Sequence, residues 1–156
     1  MALADLESSK ILYGSRKFPQ SIFLLQQSVE KTTKGITGIF IYGHETMNIY
    51  KDIGKGAEDK IKHLDEIKID NESTLISFIH AIKLILSGID FGESDLRVTR
   101  ISAPNFLLQK ILSPHVNSAR YPKGEFSPLS EYSENHFLIK HYKTLHDIQR
   151  SCLNEC

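Results

Sequence analysis

Apolar residues recur at helical spacing along most of the chain, and alternating strand-like patterns are nearly absent. The clearest pattern follows Pro19, which suits the first position of a helix because its missing N–H would have no intrahelical acceptor there. The second half of this helix is rich in Thr and Gly, which have low helix propensity. Tertiary packing must therefore stabilise this half of the helix, or alternatively Gly35 and Gly38 allow a neighbouring helix to approach closely. The apolar residues of this helix form one stripe that faces the core: Ile22, Leu25, Val29, Ile36 and Phe40.

Similar stripes predict further helices, most of which begin at a capping residue or a proline. Pro104 is expected to open one helix and Pro114 to end it, so that residues 90–103 form a polar connection. Residues 42–56 stay without a predicted element, and Pro and Gly make Arg120–Gly124 a loop. The predicted helices cover residues 2–14, 19–40, 57–67, 70–89, 104–114 and 128–152.

This pattern predicts an all-α protein, an antiparallel bundle of about five helices in a single domain over residues 1–156. The chain has no internal repeat and no change of composition that would mark a domain boundary. The apolar stripes predict that the following side chains are mostly buried: Leu25, Val29, Ile36, Phe78, Ile82, Leu86, Leu138 and Leu145.

Composition is that of an ordinary soluble domain, with 156 residues, 40% hydrophobic and 24% charged. Nineteen basic residues balance nineteen acidic ones, which excludes a protein that coats nucleic acid by bulk charge. The most apolar stretch, Leu75–Ile89, is too short to span a membrane and contains His80 and Lys83. An acidic N-terminus unlike a signal peptide and two cysteines near the C-terminus predict a cytoplasmic, reduced protein.

Common catalytic and metal-binding motifs are missing from the sequence. Gly54-Lys55-Gly56 lacks the spacing of a phosphate-binding loop. His136, His141 and His146 are five residues apart, which scatters them around a helix instead of bringing them together. Asp59 with His63, and Cys152 with Cys156, are isolated pairs, whereas a zinc site needs three or four ligands. We therefore expect no metal site and no cofactor.

Charged residues on the second helix allow two interpretations. Glu30 and Lys34 are four residues apart in the order that favours an ion pair on a helix surface. Lys31 and Lys34 can also point away from the apolar stripe and contact a phosphate. Charge alone leaves both interpretations open.

Three short motifs occur in a fixed order along the chain. The first is Ala4-Asp5-Leu6, the second is Gln26-Gln27-Ser28-Val29-Glu30-Lys31 followed by Lys34, and the third is Ala119-Arg120-Tyr121-Pro122. Together with a final helix, they resemble the HEPN family (higher eukaryotes and prokaryotes nucleotide-binding domain), and the resemblance extends over nearly the whole chain.

The resemblance implies an all-α, usually dimeric protein of prokaryotic defence or toxin–antitoxin systems, often encoded beside a minimal nucleotidyltransferase. Many members of the family are metal-independent ribonucleases that use an Arg and a His separated by four to six intervening residues. The His would act as a general acid or base, and the Arg would stabilise charge on the phosphate.

This sequence departs from that catalytic pattern, because none of its arginines has a His at the required spacing. The nearest equivalent is Lys110 with His115, in which Lys lacks the planar fork of Arg. Pro114 also interrupts the helix just before His115. The pair is a degraded candidate for a catalytic site.

Three hypotheses follow from these residues and the resemblance. The first is a non-catalytic module that binds a nucleotide, RNA or a nucleotidyltransferase partner as a homodimer, with candidate contacts at Lys31, Lys34, Arg120 and Tyr121. Alternatively, the third motif is purely structural: Tyr121 packs against the rest of the protein, and Pro122 fixes the turn. The second hypothesis is a ribonuclease toxin, and the third is a helical scaffold without affinity for nucleotides.

Overall fold

Every regular element that the structure describes is helical. The structure is a computed structural model that describes residues 1–40, 69–86, 96–120 and 128–154. The helices are α1 (Ala2–Gly14), α2 (Phe18–Phe40), α3 (Glu72–Leu86), α4 (Leu96–Leu112), α5 (Pro128–Glu131), α6 (Phe137–Lys140) and α7 (Tyr142–Asn154), with a 3-10 turn over Ser113–His115. This confirms the all-α prediction. The candidate helix over residues 57–67 and the segment 42–56 lie outside the described residues.

The helices pack around one apolar core in which α2 is the central element. The short turn over residues 15–17 folds α1 back along α2, and α2 also contacts α4 and α7. Leu86 is half-buried against this core, and the side chain of Ile36 is not among those described. The other predicted core side chains are buried: Leu25, Val29, Phe78, Ile82, Leu138 and Leu145.

A layer of buried polar side chains connects α2 to its neighbours. Gln149 on α7 is fully buried and donates from Nε2 to Ser28 Oγ at 3.0 Å and to Thr32 Oγ1 at 2.9 Å. Ser28 Oγ donates in turn to the carbonyl of Ala2 on α1 at 2.7 Å. Thr33 and Asn105 make a further bond between α2 and α4. These bonds, together with the apolar core, stabilise the Thr-rich half of α2. They provide the tertiary packing that its low helix propensity made necessary.

Gly35 makes no close helix contact with the residues that the structure describes. A Cβ atom added at Gly35 would meet no heavy atom within 4 Å in the described part of the chain, apart from its own helix. Within the described residues, no neighbouring helix makes the predicted close approach at Gly35.

The structure corrects the predicted start of α4. This helix begins at Leu96, within the stretch expected to be a polar connection, and Pro104 lies inside it. An internal proline removes one backbone hydrogen bond and costs about 3 kcal/mol. Burial of four large apolar side chains stabilises the helix by about 1.5–3 kcal/mol each, which exceeds that cost. These side chains are Leu107, Leu108, Ile111 and Leu112. As predicted, α4 ends just before Pro114.

The predicted helix over residues 128–152 is interrupted twice. Residues 132–136 are irregular, and Ser133 and Asn135 there are residue types that hydrogen-bond to local backbone in competition with a helix. His136 has extended backbone and caps α6, since its Nδ1 accepts from the Leu138 N–H at 3.1 Å. His141 separates α6 from α7. The apolar stripe continued across these breaks, so it could not reveal them.

Candidate functional site

Two of the predicted contact residues, Lys31 and Lys34, lie on one face of α2. We call this face the α2 stripe and define it as Phe23, Gln27, Glu30, Lys31 and Lys34. These positions recur at spacings of three and four residues, so they lie on one side of the helix. Their side chains are half-buried or exposed, whereas Ile22, Leu25 and Val29 pack into the core.

Both lysines of the α2 stripe are paired with carboxylates. Lys31 Nζ bonds to Asp5 Oδ2 on α1, which joins residues from two of the three HEPN-like motifs. Lys34 Nζ lies 2.7 Å from Glu30 Oε1, as the i,i+4 spacing favoured. The hydrogen bond from Lys34, followed by one from Gln26, holds the pKa of Glu30 below its usual value. The charge of each lysine is thereby balanced within the chain.

Arg120 reaches the N-terminal end of the α2 stripe. Its guanidinium lies over the ring of Phe23, 4.7 Å from the ring centroid. Lys31 is eight residues further along α2, about 12 Å along the helix axis. Three of the four candidate contact residues therefore follow one face of α2. The fourth, Tyr121, lies outside the described residues, and so does Pro122.

Lys110 and His115 have different surroundings. Lys110 lines a cleft of about 270 Å³ together with Phe106, Gln109, Ser113 and Pro114. His115 follows the end of α4 and packs instead among aromatic rings, where its Nδ1 lies 2.9 Å from Tyr132 Oη. Among the described residues, the structure does not bring the two candidates to one cleft.

Two histidines and a tyrosine that the sequence did not connect form a compact cluster. The rings of His115 and His136 are perpendicular with centroids 5.7 Å apart, and Tyr132 is 4.6 Å from His136. Phe137 stacks on His136 at 4.5 Å. Burial, and then the charge of His115, lower the pKa of His136 to about 4. Burial also raises the pKa of Tyr132.

This cluster is poorly suited to proton transfer at neutral pH. His136 is neutral there, and its Nδ1 is used as a helix cap. A general acid or base acts best when its pKa lies near the working pH. The only hint of this cluster in the sequence is that Tyr132 and His136 are four residues apart, a spacing that brings side chains together on a helix. Because Ser133 and Asn135 break the helix between them, helical geometry would have misplaced both rings.

The described residues contain neither a metal-binding cluster nor a membrane-spanning helix. They contain no group of three or more His, Cys, Asp or Glu side chains able to hold a metal ion. No helix among them combines the length and the apolar character needed to cross a bilayer. Cys152 is buried in the apolar core.

Comparison with known proteins adds no relative. No family model, no curated protein and no solved structure matches the chain.

Proposed function

We propose that this chain is a non-catalytic helical binding module of the HEPN type that binds a nucleotidyltransferase partner through the α2 stripe. The resemblance supplies the class of partner, and the α2 stripe supplies the surface. The homodimer that the resemblance implies is part of the same proposal. Light scattering on the purified protein at tens of micromolar is expected to give twice the chain mass, and a monomer there would contradict the dimer.

The observation that supports a protein partner is the pairing of both lysines. A nucleic acid phosphate that approached Lys31 would meet the carboxylate of Asp5, and one that approached Lys34 would meet Glu30. Each phosphate contact would have to compensate for the loss of an ion pair and for the repulsion from the released carboxylate. A mixed surface of amides and paired charges fits the polar rim of a protein interface without breaking those pairs.

The proposal is tested with the nucleotidyltransferase encoded beside the gene. Calorimetric titration of the two purified proteins is expected to give a saturable complex. Lys34→Glu leaves the carboxylate of Glu30 without its partner and adds a second carboxylate beside it on the α2 stripe, so it should weaken the complex by about tenfold or more. Lys83→Glu is the matched control, because Lys83 is an exposed lysine on α3 away from the stripe.

Three outcomes would contradict this proposal. They are a gene neighbourhood without a nucleotidyltransferase, a pair of purified proteins that form no complex, and equal weakening by the two variants. Circular dichroism of each variant checks that the helices are retained, since Lys34→Glu places two like charges at Glu30 and position 34.

RNA binding is a second candidate, favoured by the contact between Arg120 and Phe23. RNA-binding proteins commonly stack bases on aromatic rings and guanidinium planes. Binding of a labelled short RNA that falls steeply with salt and is lost in Arg120→Ala would support this candidate. Binding that Arg120→Ala leaves unchanged, or no binding at physiological salt, would reject it.

The proposal also states that the module does not cleave RNA. A positioned general acid or base contributes about a hundredfold to ten-thousandfold, and charge stabilisation at the phosphate adds a comparable factor. With Lys110 and His115 in separate surroundings, neither contribution is expected. Purified protein should leave total and synthetic RNA intact with and without divalent metal. Cleavage abolished by His115→Ala but retained in His80→Ala, an exposed histidine on α3, would refute this statement.

A further inference from the structure

A second cleft lies at the opposite end of the α1–α2 pair from the lysines of the α2 stripe. It has a volume of about 310 Å³, at the small end of the range for ligand pockets. Its lining includes Tyr13, Arg16, Phe18, Glu134 and Lys140. It is therefore built from the end of α1, the start of α2, the irregular segment before α6, and α6 itself.

Arg16 occupies a backbone position that favours glycine. Its φ is 60°, in the left-handed region, and it follows Ser15, the residue that caps the end of α1. The turn is closed by the Lys17 N–H, which donates to the Leu12 carbonyl at 2.8 Å. Helices commonly end on such a left-handed residue, and glycine is preferred there because other side chains are strained. An arginine at this position is conformationally unfavourable, which suggests that its side chain has a role that glycine could not fill.

The side chain of Arg16 is directed to the cleft and is held by two contacts. Its guanidinium pairs with the carboxylate of Glu134 and lies over the ring of Phe18, 5.7 Å from the centroid. Lys140 lines the same cleft, and its Nζ lies 3.9 Å from the carboxylate of Glu72, which is not among the lining residues. Two cations therefore line this cleft, with Glu134 as the carboxylate among its lining residues.

The aromatic side of the cleft is rigid. Tyr13 and Phe18 contact each other with centroids 5.4 Å apart. Tyr13 is also stacked on the buried ring of Tyr142 at 4.2 Å. The cleft thus combines two cations with a fixed apolar wall.

We propose that this cleft binds a phosphate monoester, with Arg16 and Lys140 on the phosphate and Tyr13 and Phe18 against the organic group. The planar fork of an arginine matches phosphate oxygens, and a doubly charged phosphate matches two cations. In the free protein the carboxylate of Glu134 is paired with Arg16, and the phosphate displaces it on binding. Its release disturbs no helix, because it belongs to the irregular residues 132–136. This site does not rest on the proposed function of the α2 stripe.

The test is a titration followed by ¹H–¹⁵N NMR with three probes: phenyl phosphate, inorganic phosphate and benzoate. Shifts should centre on Arg16, Glu134 and Lys140 and saturate with a Kd of about 1 mM or below. Phenyl phosphate should bind more tightly than inorganic phosphate because of the aromatic wall. Benzoate, with one charge, should bind most weakly. The three probes therefore separate the contributions of the phosphate and of the ring.

Three variants make the assignment specific. Arg16→Gly suits the left-handed turn, so the fold should be retained while affinity for phenyl phosphate falls by about tenfold or more. Glu134→Gln removes the internal competitor and should raise affinity about two- to fivefold. Lys17→Ala is the control, since Lys17 is an exposed cation beside the cleft that is not among its lining residues.

The proposal would be overturned by the absence of saturable shifts at phenyl phosphate concentrations up to about 10 mM. It would equally fail if Arg16→Gly bound as well as the unmodified protein, or if Lys17→Ala lost as much affinity as Arg16→Gly. Unchanged affinity in Glu134→Gln would refute the displacement of Glu134. The thermal midpoint of each variant, measured in parallel, separates loss of the site from loss of the fold.

Discussion

Replacement of Gln149 by methionine should leave stability nearly unchanged, although Gln149 is fully buried and makes two hydrogen bonds. The reason lies in its partners. Ser28 Oγ donates to the Ala2 carbonyl and Thr32 Oγ1 donates to the Ser28 carbonyl at 2.9 Å, so both hydroxyl protons keep acceptors without Gln149. The other amide atom of Gln149, Oε1, is buried without a hydrogen bond in the described part of the chain.

The expected change in the free energy of unfolding follows from these contacts. Gln149→Met removes two neutral hydrogen bonds, which contribute about 1 kcal/mol each. It also removes a buried unsatisfied carbonyl, whose presence costs about 1–3 kcal/mol. The two contributions nearly cancel, and methionine fills a similar volume. We therefore expect a net change within about 1 kcal/mol. Gln149→Ala adds a cavity and should lose about 2–4 kcal/mol.

Urea unfolding followed by circular dichroism measures both variants, at one protein concentration because self-association would shift the midpoint. A loss above about 2.5 kcal/mol in Gln149→Met would refute the reasoning, since it would mean that the amide oxygen is satisfied or that the bonds are unusually strong. Equal losses in the two variants would show that the cavity is not the source of the alanine effect.

Two further predictions concern pH and helix propensity. Because the pKa of His136 is lowered to about 4, its ring stays neutral in the folded protein between pH 6.5 and 4, whereas in the unfolded chain it binds a proton near pH 6.5. Stability should therefore be full above about pH 6.5 and fall as the pH drops towards 4. The expected loss is about 2 kcal/mol, less than the full shift implies because the ring is partly exposed to solvent. Unfolding midpoints measured across this range should show a weaker dependence in His136→Asn, which keeps a cap acceptor, and an unchanged dependence would contradict the assignment. Gly35→Ala should raise stability by about 0.5–1 kcal/mol, seen as a higher thermal midpoint, because a Cβ at Gly35 meets no heavy atom of the described residues within 4 Å outside its own helix. Lower stability or a reduced mass in light scattering would instead indicate a second copy packed against that side of α2.

The sequence predicted the helices well where an apolar stripe and a capping residue agree. α1 matches its predicted residues, and α3 begins at the expected cap, where Asn71 Oδ1 accepts from the Thr74 N–H at 2.9 Å. The errors arose where a local signal opposed tertiary packing. Pro104 is a strong local signal for a helix start, yet burial of the residues that follow it outweighs one lost hydrogen bond.

The candidate site was predictable on α2 and not elsewhere. Helical spacing alone places Lys31 and Lys34 on one face and pairs Lys34 with Glu30. The contacts of Lys31 with Asp5 and of Arg120 with Phe23 join residues distant in the sequence, and periodicity carries no information about them. The cleft at Arg16 was missed for the same reason, and because a left-handed arginine has no sequence signature.

The HEPN-like motif residues have a structural role that is separate from any ligand. Asp5 bonds to Lys31 between α1 and α2, Ser28 receives a bond from Gln149 of α7, and Arg120 covers Phe23. Each motif therefore contributes to holding a neighbouring segment against α2. Conversely, a residue used in this way is a poor phosphate ligand, because binding would have to break an interaction that supports the packing. Lys34 differs, since its ion pair with Glu30 lies within one helix and its side chain is 74% exposed. Among the motif lysines, Lys34 is thus the one that a partner can engage without separating two helices, and substitution there is the most direct way to separate binding from folding.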